Sequence, residues 1–105
     1  MTQYVLAYHG GNGAPESDED ASATMALWQN WFAGLGDAVV NMGAPIGQSA
    51  TINADGSVSN DGGANPINGY SIVEADSLSA AIDIAKGCPI LGDGGSVEVA
   101  ETITM

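Results

Sequence analysis

One histidine, one cysteine and one lysine stand in a chain of 105 residues that carries thirteen Asp and Glu. Acid–base, nucleophilic or metal chemistry has to be built from that short inventory. His9 is the first candidate, because imidazole alone among side chains has an ordinary pKa near neutrality. It ends an apolar run and precedes Gly10-Gly11, which leave room for a ligand. As a catalytic group it would move a proton, and as a structural one it would only hydrogen-bond in a loop. Asp37, just past the first helical stretch, is the candidate partner, since a carboxylate beside an imidazole raises and orients it. A solvated aspartate at a helix end is the other outcome. Cys88 excludes an internal disulfide by being single, and one thiolate is too few for a zinc site. Beside Pro89 it reads as a small, partly buried residue.

Metal and cofactor motifs are missing from the sequence. A lone histidine cannot supply a two-histidine site, and Ser17-Asp18-Glu19-Asp20 lacks the alternating oxygens, central glycine and terminal glutamate of a calcium loop. Gly10-Gly11-Asn12-Gly13 has neither the lysine nor the spacing of a phosphate cradle. No cofactor is expected. The side chains suited to binding are large and apolar: Trp28, Trp31, Met42 and Tyr70 are candidate walls of a cleft for a small, partly apolar molecule.

Charge narrows the partners. The net charge is −12, with Lys86 the single cation, so a nucleic-acid backbone or an anionic membrane surface is repelled. No apolar run approaches the roughly 20 residues of a spanning helix. Met1 to Tyr8 lacks the positive and apolar regions of a signal peptide, which makes the cytoplasm the default location. The acidity itself fits either a high-salt habitat or a low-pI protein kept soluble by self-repulsion.

These candidates need elements to hold them. Gln3 to His9 is rich in β-formers, with Val5 and Ala7 on one face and Tyr4, Leu6 and Tyr8 on the other. The glycines after it break the strand. Ser17 caps a helix whose Ala21, Met25, Trp28, Trp31, Phe32 and Leu35 recur at three- and four-residue spacing, so the two indoles and Phe32 are expected to pack in the core. Gly34 and Gly36 end it. Ala38 to Met42 reads as a second strand. Asn53-Ala54-Asp55-Gly56 turns a hairpin, its Asp-Gly pair suited to positive φ. Tyr70 to Ala75 is a further strand, Asp76 or Ser77 caps a helix from Leu78 to Lys86, and Ser96 to Thr104 alternates as the last strand. Residues 1–105 thus form a single α+β domain of β-α-β-β-α-β order with an added hairpin, an antiparallel sheet and both helices on one sheet face. The other face wants a cover, because both sides of the first strand are apolar, and a homodimer is the simplest one.

The sequence resembles the YCII-related family, in particular its DGPF branch of small bacterial proteins. The resemblance is carried by Tyr4 to Tyr8, by Thr51-Ile52-Asn53-Ala54-Asp55-Gly56, by Gly69 to Ala81 as the most specific stretch, and by Gly95 to Val99. It implies a ferredoxin-like fold, a dimeric α+β barrel and a cleft at the end of the first strand. Where the branch reads Asp-Gly-Pro and an aromatic, this chain has Asp61-Gly62-Gly63-Ala64. The His–Asp dyad of some relatives is not carried over, because the first helix has no histidine. Three functions follow as alternatives: a small-molecule binding module, a cofactor-independent enzyme using His9, and a structural or regulatory dimer without a ligand.

Overall fold

A computed structural model describes residues 2–10, 17–61, 63 and 66–103. The glycine-rich stretch 11–16, most of the loop at 62–65 and Thr104 at the expected end of the last strand lie outside the described residues. The elements are β1 (Thr2–His9), α1 (Asp18–Leu35), β2 (Val39–Pro45), β3 (Thr51–Ile52), β4 (Val58–Ser59), β5 (Ile67–Ala75), α2 (Leu78–Ala85) and β6 (Ser96–Glu101), with short 3₁₀ turns at Gly36–Ala38 and Pro89–Asp93. Four strands make an antiparallel sheet in the order β2-β5-β1-β6, and β3 pairs with β4 in a separate hairpin. This is a ferredoxin-like α+β fold.

Alternation along the two central strands divides the sheet into unlike faces. Tyr4, Leu6 and Tyr8 lie opposite Val73, Ser71 and Gly69, and all six are buried beneath the helices. Val5 and Ala7 pair with Ile72 and Tyr70 on the open face, where they are half-buried. Leu6 and Val73 are wholly buried, each stabilising the fold by roughly 1.5–3 kcal/mol.

The helices begin where hydroxyls can accept from free N–H groups. Ser17 Oγ accepts from Asp20 N and Ser77 Oγ from Ala80 N, both at 3.1 Å. The helices then differ in depth. Ala81 and Ala85 of α2 join the core of Tyr4, Leu6, Tyr8, Val73, Ala75, Cys88 and Ile90, because small side chains let the helix close onto the sheet. None of the described α1 residues is buried, and Met25 and Leu27 are 61% and 59% exposed. Trp28 and Trp31 pack against the core rather than inside it, and their bulk holds α1 away from β5 and β2. The core expected under the first helix is therefore centred under the second.

Two turns are set by glycine. In the hairpin only Gly56 has positive φ, at +89°, while Asp55 does not, so the loop closes through Gly56 N to Asn53 O (2.9 Å) and Asn53 N to Ser57 O (2.8 Å). The Asp-Gly pair expected to take positive φ together does so at one residue. In β2 the register slips twice between Val39 and Ala44. Gly43 sits in this bulge at φ +75°, and a Cβ there would lie 1.7 Å from Tyr70 O. Asn41 Oδ1 accepts from Gly43 N at 2.8 Å and fixes the distortion.

The molecule is a slab, 43 × 42 × 19 Å, with a radius of gyration of 15.0 Å. A compact chain of this length has a radius of about 13 Å.

Gly43→Ala should destabilise the fold by about 2–4 kcal/mol, since both φ and the neighbouring carbonyl oppose a side chain. Urea unfolding reads this directly, and a loss below about 0.5 kcal/mol would mean that the bulge rearranges freely.

Candidate functional site

Because α1 stands off the sheet, a cavity of about 480 Å³ opens between it and the β2–β5 edge. Met25, Trp28 and Phe32 form the helix wall. The β2 bulge, Met42 to Pro45, forms the opposite rim, and Tyr8, Gly69 and Ser71 form the floor. Tyr8 meets Trp28 edge to face, with ring centroids 5.0 Å apart and planes at 76°, an arrangement that aromatic quadrupoles favour. Gly69 leaves the space that the Tyr8 ring takes: a Cβ there would stand 3.3 Å from Tyr8 Cδ2.

The floor is apolar except for one hydrogen-bonded line. Tyr8 Oη donates to Ser71 Oγ at 2.7 Å, and Ser71 Oγ donates to the Met42 carbonyl at 2.7 Å. The line crosses three strands and gives the bulged Met42 carbonyl a partner. Burial pushes the Tyr8 phenol well above the ordinary tyrosine range, against the opposing effect of the Ser71 hydrogen bond. Tyr8 therefore keeps its proton near neutral pH and acts as a hydrogen-bonding group, not as a base.

Trp28 and Met42 border this cavity; Tyr70 meets it along β5, while the strand's alternation turns its side chain to the open face. Trp31 does not border it. It packs on Trp28 and Phe32, at centroid distances of 5.8 and 4.9 Å, and its indole fills the room left by Gly87. Tyr8, Ser71, Phe32 and the Gly43 bulge belong to the site although sequence analysis had not assigned them to it. Ser71, a small hydroxyl between the larger Tyr70 and Ile72 of β5, was the one available signal.

His9 is absent from the cavity lining. Tyr8 faces the helices, so the next residue along the strand turns to the opposite face. There the His9 ring is buried, Nδ1 donating to Pro66 O at 3.2 Å and Nε2 lying 3.3 Å from Glu98 Oε1. The Glu98 contact is an ion pair when the ring is protonated. Asp37 lies in the 3₁₀ turn before Val39, which pairs with Val73, itself opposite Tyr4. That is the other end of the sheet, and His9 lies five residue steps along β1 from Tyr4, about 17 Å. The two groups considered as an acid–base pair are thus kept apart by α1, which carries the chain back down the sheet before Asp37.

Cys88 is buried in the core, and burial pushes its thiol up to about 11. Among the described residues no group of three or more His, Cys, Asp or Glu side chains converges as a metal site requires. No helix of the described residues is long and apolar enough to cross a membrane. No family model matches the chain, and no curated protein matches it.

Cys88 should alkylate about 100-fold more slowly in the folded protein than in urea at pH 8, because a thiol at about 11 instead of 9.0 has that much less thiolate. Equal rates would mean that the core opens readily. Cys88 and Tyr8 both hold their protons more tightly in the fold, so the folded state binds more protons than the unfolded chain above about pH 9. Stability should be intact below that pH and decline as pH rises, through about 11 for Cys88 and beyond it for Tyr8, as urea midpoints taken across the range will show.

Proposed function

We propose that the chain is a binding module for a small, largely apolar molecule that occupies the cavity between α1 and the β2–β5 edge. The observation that carries this is the cavity itself: about 480 Å³, walled by Trp28, Phe32, Met25 and Met42. Ligand sites commonly fall between about 300 and 1,000 Å³ and combine apolar walls with few polar groups. Tyr8 and Ser71 are such groups. The alternative, a cofactor-independent enzyme using His9, draws no support from this cavity, since His9 points from the other face. We also propose a YCII-related origin, supported by the sequence resemblance alone. Its most specific stretch, Gly69 to Ala81, covers most of β5 and the start of α2, and includes Ser71.

Met42 is 57% exposed at the rim, so enlarging it does not invade the core. Met42→Trp should fill the cavity and abolish thermal stabilisation by small aromatic compounds that stabilise the native protein, with the circular dichroism spectrum unchanged. Stabilisation that persists in this variant would place binding elsewhere.

We extend the proposal to a homodimer in which the open sheet faces of two copies meet, closing a dimeric α+β barrel. Support comes from the apolar centre of that face, Val5, Ala7, Tyr70 and Ile72, and from surface area. The chain exposes 6907 Å², against about 5,400 Å² for a compact monomer of its mass. The excess exceeds the roughly 800 Å² that each partner contributes to a standard interface. Light scattering should give about twice the 10.5 kDa of one chain, and a monodisperse single-chain mass at tens of micromolar would rule the dimer out.

A further inference from the structure

The hydroxyls on the cavity floor are committed in one direction. A carbonyl oxygen only accepts, so the contact between Ser71 Oγ and Met42 O uses the serine proton. Ser71 Oγ must then accept from Tyr8, and the contact between them uses the phenol proton. What Tyr8 Oη retains is a lone pair. Donating a hydrogen bond into such a chain polarises the phenol oxygen and strengthens it as an acceptor. The Tyr8 hydroxyl is therefore a fixed acceptor, although a free phenol would choose its role to suit the ligand.

Charge restricts the occupant further. Among the described residues the lining includes no Lys, Arg, His, Asp or Glu. Lys86, the single cation, projects from the end of α2 toward Asp83, at 3.8 Å. A carboxylate or phosphate entering the cavity would lose its water without gaining a counter-ion, inside a chain of net charge −12. A cation would be desolvated with no carboxylate among the described lining residues to meet it. The volume equals that of about sixteen liquid waters, which admits a compact molecule of one or two rings.

We infer, resting on the binding proposal above, that the occupant is a neutral, mostly apolar small molecule bearing a hydroxyl or N–H donor, and that Tyr8 Oη accepts that donor because the Tyr8–Ser71–Met42 line fixes the direction of donation. Binding selects donors over otherwise similar acceptors, and neutral molecules over anions. Tyr8 sets the first preference and the missing counter-ion sets the second.

Three probes of shared shape test this by calorimetric titration at pH 7: 2-naphthol, 2-methoxynaphthalene and 2-naphthoate. The native protein should bind 2-naphthol about 3- to 10-fold more tightly than its methyl ether, the value of one hydrogen bond. It should not bind 2-naphthoate measurably. Tyr8→Phe should bring 2-naphthol down to the level of the ether and leave the ether unchanged. Ser71→Ala frees the phenol proton, so the ether should gain on 2-naphthol. The order of the three probes in the native protein decides the matter even if a variant folds poorly. If 2-naphthol and its ether bind equally, and Met42→Trp abolishes both, the cavity binds small molecules but the donor rule is overturned. If 2-naphthoate binds as tightly as 2-naphthol, the neutrality rule is overturned. If none of the three binds, both the donor rule and the binding proposal fall.

Discussion

The register between β1 and β5 decides which side chains can meet. Leu6 opposite Ser71 and Tyr8 opposite Gly69 put a phenol, a hydroxyl and a vacancy on one patch of the helix-facing surface. A one-residue slip of β1 would turn Tyr4, Leu6 and Tyr8 to the open face and bring Val5 and Ala7 beneath the helices. The Tyr8 ring takes the space that Gly69 leaves, and its hydroxyl reaches Ser71. Ser71 in turn reaches the Met42 carbonyl because the β2 bulge exposes it. The central pairing thus sets the core, the cavity floor and the edge of the sheet together.

On this foundation the two helices behave differently for a reason written in side-chain volume. Ala81 and Ala85 bring α2 down onto Tyr4 and Leu6, with Cys88 and Ile90 sealing its end. Trp28, Trp31 and Phe32 form a cluster of their own, in which each ring meets the other two within 6.1 Å. Such a cluster stabilises α1 without requiring close approach to the sheet. Room remains between α1 and β2, bounded by exposed Met25 and Met42. Methionine adapts its shape to irregular contacts, which suits a wall that must accommodate an occupant.

Much of this architecture was legible because it is local. The alternation of Tyr4 to Tyr8, the serine caps at Ser17 and Ser77 and the glycine stop at Gly36 each depend on a few neighbouring residues. The site was legible only in part. Trp28 and Met42 are marked by size and border the cavity, whereas Tyr70, marked in the same way, turns its side chain to the open face. The Tyr8–Ser71 bond joins positions 63 residues apart, and no spacing rule anticipates it. Gly43 in a strand-like run resembles the end of a strand, whereas it is a bulge inside one. His9 and Asp37 were the conspicuous polar groups, yet a strand's alternation and a helix's reversal place them on the far face and at the far end of the sheet.

The 19 Å thickness of the slab bears on how the isolated chain responds to its surroundings. A single helical layer on a sheet with one open face removes less area from water than a rounded domain of equal length, and both the denaturant slope and the heat-capacity change of unfolding scale with that area. The small area buried in such a slab lowers the denaturant slope and the heat-capacity change of the isolated chain, which broadens unfolding and flattens its temperature dependence. Its cooperativity is a property that any added layer would sharpen, whether that layer is a ligand under α1 or a second sheet across the open face.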